Sequence, residues 1–308
     1  MRFEFIKENF MKKIFLFIAL SSSVMLPQSA GNNGLSFLKF GFGARNIAMG
    51  DVGTSVSNDV TSLFYNPSSL VGKENSEVMF MHNEWIQDIR SEVGGIRSVL
   101  FGLPVALGFN LTSVSDIEVR QKPGVPETTF DASYFFGSIS TGFFIVDEIS
   151  FGTSVKYLYE GLYTDEGTGW AVDFGVTYFT PIKGLTATAV YKNLGSMNAL
   201  RNESTKLPAE LRIGSAYSFD LSDSDFGITA AGEFQKYTLE DEIHFNLGGE
   251  VVYNEVIALR AGYQSGYEIR GFTGGIGLIW GNLNFDYAFV PFSLGFGSAN
   301  HFSLGFKF

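Results

Sequence analysis

Hydrolytic catalysis would need a histidine beside a serine or an acid, and the chain offers three candidates: His82, His244 and His301. No partner spacing completes a dyad with any of them, so each reads as a lone polar side chain and the chain reads as a non-enzyme. There are no cysteines, which removes disulfides, thiolate metal sites and cysteine nucleophiles. The acidic runs Asp223-Ser224-Asp225 and Glu240-Asp241-Glu242 could hold calcium only weakly. They lack the spaced oxygens of a dedicated loop and read as solvated turns. The Gly-rich run around Gly41-Phe42-Gly43 follows no strand and lacks a Gly-Lys-Ser/Thr ending, so it is no phosphate loop. No metal or cofactor is expected. A net charge of −11 leaves no basic footprint for nucleic acid.

The chemistry that remains is electrostatic. Lys156, Lys192, Arg212, Arg260 and Lys307 sit at alternating positions of strand-like runs, as do Asp173, Glu210, Glu233, Glu250 and Asp286. If alternation holds, all ten point to one side, five positive against five negative. A balanced set suits a cross-linked or plugged interior better than a strongly ion-selective pore; a wide water-filled lumen is the alternative.

The elements that must carry these charges read as strands. Hydrophobic residues make up 45% of the chain and charged ones 17%, with 36 Gly, 32 Phe and 13 Tyr among 308 residues. Such a composition suits strands that face lipid on one side and pack closely on the other. Fourteen candidates of roughly ten residues each follow from Ser76 onward: 76–85, 90–101, 103–113, 130–143, 149–160, 169–180, 184–193, 208–219, 225–236, 242–252, 256–264, 271–280, 282–290 and 299–308. Parity is clear where Val105, Leu107, Phe109 and Leu111 alternate with Ala106, Gly108, Asn110 and Thr112. It recurs in Ile243, Phe245 and Leu247, and in Leu283, Phe285, Tyr287 and Phe289. Strands one, two and four are less clean. Tight joints near 102, 147, 182, 222, 254 and 281 alternate with longer polar ones at 114–129, 161–168, 194–207, 237–241, 265–270 and 291–298. Outer-membrane barrels show this phasing, with short periplasmic turns, longer external loops and both termini periplasmic.

Three further signals agree. Trp85, Trp170 and Trp280 stand at strand ends, where amphipathic rings form interfacial belts. Phe302, Leu304, Phe306 and Phe308 share one face of a last strand that ends on an aromatic, the form in which such barrels present themselves to their insertion machinery. Met11-Lys12-Lys13, the apolar run Ile14 to Leu20 and the small residues up to Ala30 form a secretory signal, with Met11 the better start. No later stretch reaches about 18 apolar residues, so a membrane protein of this sequence must be a closed barrel. The expected organisation is a signal peptide at 1–30, a plug segment at 31–74 and an all-β transmembrane antiparallel barrel at 75–308, placed in the outer membrane of a diderm bacterium.

Residues 31–74 show short apolar patches with Gly and Pro breaks, which suits short helical turns inside the lumen. Asn58 or Asp59 would cap one turn, and Asn66-Pro67 would stop it and start the next. The run Gly43-Ala44-Arg45-x3-Met49-Gly50-Asp51, then Asn58-Asp59, then Phe64-Tyr65-Asn66-Pro67-Ser68-Ser69-Leu70, resembles the N-terminal plug signature of the PorV/PorQ family, within the FadL-like outer-membrane proteins. The resemblance implies a fourteen-stranded barrel with a plug, over nearly the whole chain after the signal. FadL-type transporters are similar in the Asn-Pro element but usually continue as Ala-Gly-Leu, where this chain has Ser68-Ser69-Leu70.

Two functions follow from that resemblance. A PorV-like protein would serve type IX secretion, accepting secreted cargo domains at its external loops and passing them to a translocon or attachment complex. A FadL-like protein would be a channel for hydrophobic small molecules, with a fatty-acid-like ligand passing a movable plug. Either way the partners include outer-membrane lipid and exclude nucleic acid.

Overall fold

The structure is a computed structural model that describes residues 34–72, 75–200, 203–221 and 224–308; the signal-peptide reading of residues 1–30 and the acidic Asp223 fall outside them. The strands are β1 (Glu77–Glu84), β2 (Ile89–Leu100), β3 (Leu103–Val119), β4 (Thr128–Val146), β5 (Ile149–Leu162), β6 (Asp165–Phe179), β7 (Leu185–Met197), β8 (Ala199–Leu200), β9 (Glu203–Ser204), β10 (Glu210–Asp220), β11 (Phe226–Tyr237), β12 (Ile243–Tyr253), β13 (Ile257–Ser265), β14 (Phe272–Trp280), β15 (Leu283–Pro291) and β16 (Ser298–Lys307). All but the small β8–β9 hairpin join one antiparallel sheet of fourteen strands, and β1 pairs with β16 to close it into a barrel. Closure leaves no unpaired edge.

The period of two explains the two surfaces. Leu107, Phe109 and Leu111 stand exposed outside the barrel, and so do Phe302, Leu304, Phe306 and Phe308. Between them, Ala106, Asn110, Thr112, His301 and Ser303 are buried inside. An outward apolar band over a polar interior is the inverse of a water-soluble barrel.

Two expectations about the connections need correction. The stretch 161–168 is not a loop: Gly161 pairs with Glu166, and only Tyr163 and Thr164 turn the chain. The stretch 114–129 shrinks to residues 120–127, because Ile117 to Val119 pair with Thr128 to Phe130 beyond a bulge. Beyond an apolar band both strand faces meet water, so the hydrophobic alternation fades while backbone pairing continues. β3 and β4 run to 17 and 19 residues, well past the roughly 9–11 that cross a bilayer. β13 to β15, at nine residues each, stay near that minimum.

Residues 35–71 fold inside the barrel. Three short helices, α1 (Ala44–Ala48), α2 (Gly53–Val56) and α3 (Ser62–Tyr65), are flanked by 3₁₀ turns at Ser36–Lys39 and Pro67–Leu70. Helices of four or five residues do not persist alone in water; here the wall holds them. α1 packs on β13 to β16, α2 on β7, β10 and β11, α3 on β3 and β4, and the Pro67 turn on β4 to β6. Asn66 starts that last turn by accepting a hydrogen bond from the Ser68 amide, with Pro67 as the first residue. Its amide also donates to Thr177 Oγ1 at 3.0 Å. Asn66→Ala should cost about 1–2 kcal/mol of stability, read as a lower midpoint in detergent thermal unfolding.

Candidate functional site

The plug is tied to the wall by two buried ion-pair chains. In the first, Arg212 on β10 donates to the Asp51 carbonyl and carboxylate at 3.1 and 3.2 Å, and to Glu210 at 3.1 Å. Glu210 also meets Lys192 at 2.9 Å, and Glu233 stands 3.7 Å from Arg212. Glu233 in turn accepts the Ser55 amide of α2 at 2.7 Å. Tyr65 of α3 donates to Asp51 from the other side. Burial first, and then the Asp51 carboxylate, hold the Tyr65 phenol well above its ordinary pKa, so it stays a donor.

In the second chain, Arg45 of α1 makes a bidentate pair with Glu250 of β12, at 2.9 and 2.7 Å. Arg260 joins Glu250 at 2.6 Å and Asp286 at 2.7 Å. Burial alone would lower the Arg45 pKa, but the Glu250 carboxylate outweighs it and the guanidinium stays charged. Charges sunk this deep are tolerable only when paired and hydrogen-bonded.

A bulge joins the remaining pair to the same belt. Between Val172 and Phe174 the β6–β7 register shifts, and Lys192 and Asn193 both turn inward. Asp173 accepts the Asn193 amide at 2.8 Å and sits 2.7 Å from Lys156. Lys307 also lies on the inward face, beside a small cavity shared with Asp59, Glu77 and Asp286. All ten charges named from the sequence therefore lie on the inward side, nine in paired chains. Sequence reading missed the pair Glu77 and Arg97, 3.9 Å apart and both buried.

Among the plug-signature residues, Gly43 takes φ +80° at the start of α1, and Ala44 donates its amide to Ser303 Oγ at 3.1 Å. Met49 and Leu70 are fully buried. Asp59 accepts from the Thr61 amide at 2.8 Å ahead of α3, whereas Asn58 is exposed beside the lumen opening. Gly50, at φ +77°, donates to Thr273 Oγ1 at 3.0 Å. A side chain there would meet the Leu247 carbonyl at 2.4 Å.

The lumen differs on either side of the charged belt. Next to Lys156 toward the loop rim, Leu158 pairs with Phe136, and both are buried. Phe37, Phe42, Phe64 and Phe136 stack or meet edge-on, with centroids 4.7–6.1 Å apart. Leu35, Leu38, Met197 and Leu207 complete this packed apolar core, to which the segment Leu35 to Phe42 contributes Leu35, Phe37, Leu38 and Phe42. On the short-turn side lies a cavity of about 990 Å³, lined by polar side chains such as Ser55, Thr177 and Thr188 and by apolar ones such as Val56, Phe179 and Leu185, with Arg45 and Glu250 in its wall.

The tryptophans divide. Trp170 and Trp280 are exposed outside, at 57% and 83%. Trp85 does not join an outer belt. It turns toward the lumen mouth and stacks on Phe40 with centroids 4.3 Å apart, because the plug offers it aromatic contact.

No family model and no curated protein sequence matches the chain. Solved structures do. The Pseudomonas putida toluene transporter TodX superposes with a TM-score of 0.61 at 14% identity, over 87% of this chain and 98% of that one. The monoaromatic hydrocarbon channel CymD gives 0.56 at 13% identity, over 89% and 97%. A Pseudomonas aeruginosa FadL homologue gives 0.51 at 11% identity, over 93% and 99%. The fold is that of the FadL-like outer-membrane barrels. At Ser68 the wall explains the departure from Ala-Gly-Leu: its hydroxyl bonds Asn66 at 2.6 Å and Thr177 at 2.8 Å.

Proposed function

We propose that the chain is an outer-membrane channel for hydrophobic small molecules, with short turns and both chain ends on the periplasmic side. One observation carries the reading: a closed barrel with an apolar outer band encloses a packed apolar core of Phe37, Phe42, Phe64 and Phe136 on the loop side of its charged belt. A water-filled pore for ions gains nothing from such a core, whereas apolar solutes partition among its side chains once it opens. The structural neighbours support it, being named as a toluene transporter, a monoaromatic hydrocarbon channel and a FadL homologue. Residues 35–42 supply Phe37 and Phe42 of that core, so passage requires that segment to move. The type IX shuttle reading rests on the plug signature alone, so the channel reading takes precedence.

The test is flux. Diderm cells, whose lipopolysaccharide leaflet slows apolar solutes as a plain phospholipid bilayer does not, should take up radiolabelled toluene faster when they express the protein and show no matching gain for glucose. Equal toluene uptake with and without protein would sink the proposal.

A further inference from the structure

The mouth of the lumen holds a cluster with polar groups that plug packing leaves unpaired. Trp85, at the end of β1, meets Phe40 face to face at 4.3 Å and His301 edge-on at 4.8 Å. The Arg270 guanidinium, from the β13–β14 loop, lies 5.7 Å from the Trp85 ring and 5.2 Å from that of Tyr267. Phe292 closes the group from the β15–β16 loop. A cavity of about 10 Å³ lies between Arg270, Trp85, Asp51 and Gln264.

The polar groups here are unspent. Among the described residues Trp85 Nε1 and His301 Nε2 are buried without a hydrogen-bond partner, and His301 is fully buried. His301 Nδ1 donates to Asn83 Oδ1 at 2.8 Å, which fixes the ring and leaves Nε2 as an unpaired acceptor. Arg270 is half-buried and faces aromatic rings with no carboxylate bonded to it. The acid that borders the cavity, Asp51, is occupied by Tyr65 and Arg212. Tyr267 spends its hydroxyl on Gln235 at 3.1 Å. Buried donors left unpaired cost free energy in proportion to what a partner would return. The Trp85 face that Phe40 covers, a planar cation and an indole N–H together match one kind of ligand: a flat ring bearing an acceptor oxygen.

We propose that Trp85 and Arg270 form a binding site at the mouth for small aromatic carboxylates, and that the Phe40 ring holds the ligand ring's place on Trp85 when the site is empty. The inference deepens the channel reading and rests on it for the direction of traffic, but the binding itself does not depend on transport. Phe40 belongs to the segment that supplies Phe37 and Phe42 of the apolar core, so ligand binding at Trp85 and release of that segment are one event.

The experiment uses full-length protein in detergent with Trp170→Phe and Trp280→Phe, which leaves Trp85 as the sole tryptophan. Benzoate should quench its emission saturably. Phe40→Ala should tighten benzoate binding severalfold, and Arg270→Ala should weaken it at least tenfold; a gain on Phe40→Ala also shows that the variant is folded. Toluene and cyclohexanecarboxylate, which lack the carboxylate and the flat aromatic ring in turn, should bind at least tenfold more weakly. No saturable quenching, equal affinity for either analogue, or benzoate binding indifferent to both substitutions would overturn the site. Failure of the protein to speed toluene uptake by those diderm cells alongside intact benzoate binding would remove the channel reading and leave the site standing.

Discussion

Replacing Arg212 with alanine is expected to unseat the plug and turn a closed barrel into a conducting one. Arg212 is 1% exposed and stands among Asp51, Glu210 and Glu233. Its removal leaves three buried carboxylates with Lys192 as the one direct cationic partner among them. Breaking a buried pair by deleting one member costs about 3–5 kcal/mol. The barrel itself is insulated from that loss, because β10 is held by backbone pairing along its length to β7 and β11. The cost therefore falls on the plug, whose Asp51 would move toward water. In planar bilayers the variant should show persistent ion-conducting steps that the parent lacks. Heat-modifiable gel mobility should stay unchanged, showing an intact barrel. Arg45→Ala should open the lumen less, since Glu250 keeps Arg260 at 2.6 Å. A closed Arg212→Ala barrel would mean that the belt does not seat the plug.

The sequence carried the barrel because lipid and lumen impose opposite demands on neighbouring residues. β12 shows why: Ile243, Phe245 and Leu247 are exposed, while His244 and Asn246 are buried between them. That contrast fades in three places, each for a stated reason. On β1 the inward residues include Met79 and Met81, which are apolar because the plug covers them. Parity there was invisible, and the Glu77–Arg97 pair was missed with it. At the β6–β7 bulge two successive residues face inward, which a strict period of two cannot express. Trp85 was misplaced because an aromatic at a strand end looks the same whether lipid or a plug aromatic receives it. The mouth cluster was hidden for a related reason, since Phe40, Trp85, Arg270 and His301 come from four separate parts of the chain and only closure of β1 on β16 brings them together. One legible signal went unused: glycines on inward positions of several strands.

Those glycines mark where the plug touches the wall. A methyl group at Gly262 would stand 2.0 Å from the Gly50 amide nitrogen, and at Gly152 it would stand 2.3 Å from the Pro67 carbonyl carbon. Gly175 and Gly248 are crowded in the same way, by the Asn66 side chain and the Met49 carbonyl. In each case the obstacle lies on the plug, and at Gly262, Gly152 and Gly248 it is backbone, which no rotamer change can clear. Overpacking of a core commonly costs about 1–3 kcal/mol when side chains can shift. Here the cheaper response is for the plug to leave. Gly262→Leu is therefore expected to give a folded barrel that conducts, with steps like those of Arg212→Ala. Gly249→Ala is the control, because its nearest neighbour would stand 4.0 Å away. Combining Gly262→Leu with Arg212→Ala should add little to either alone, since a plug already displaced has no latch left to lose. Fully additive conductance in the double variant would instead assign the two residues to separate barriers.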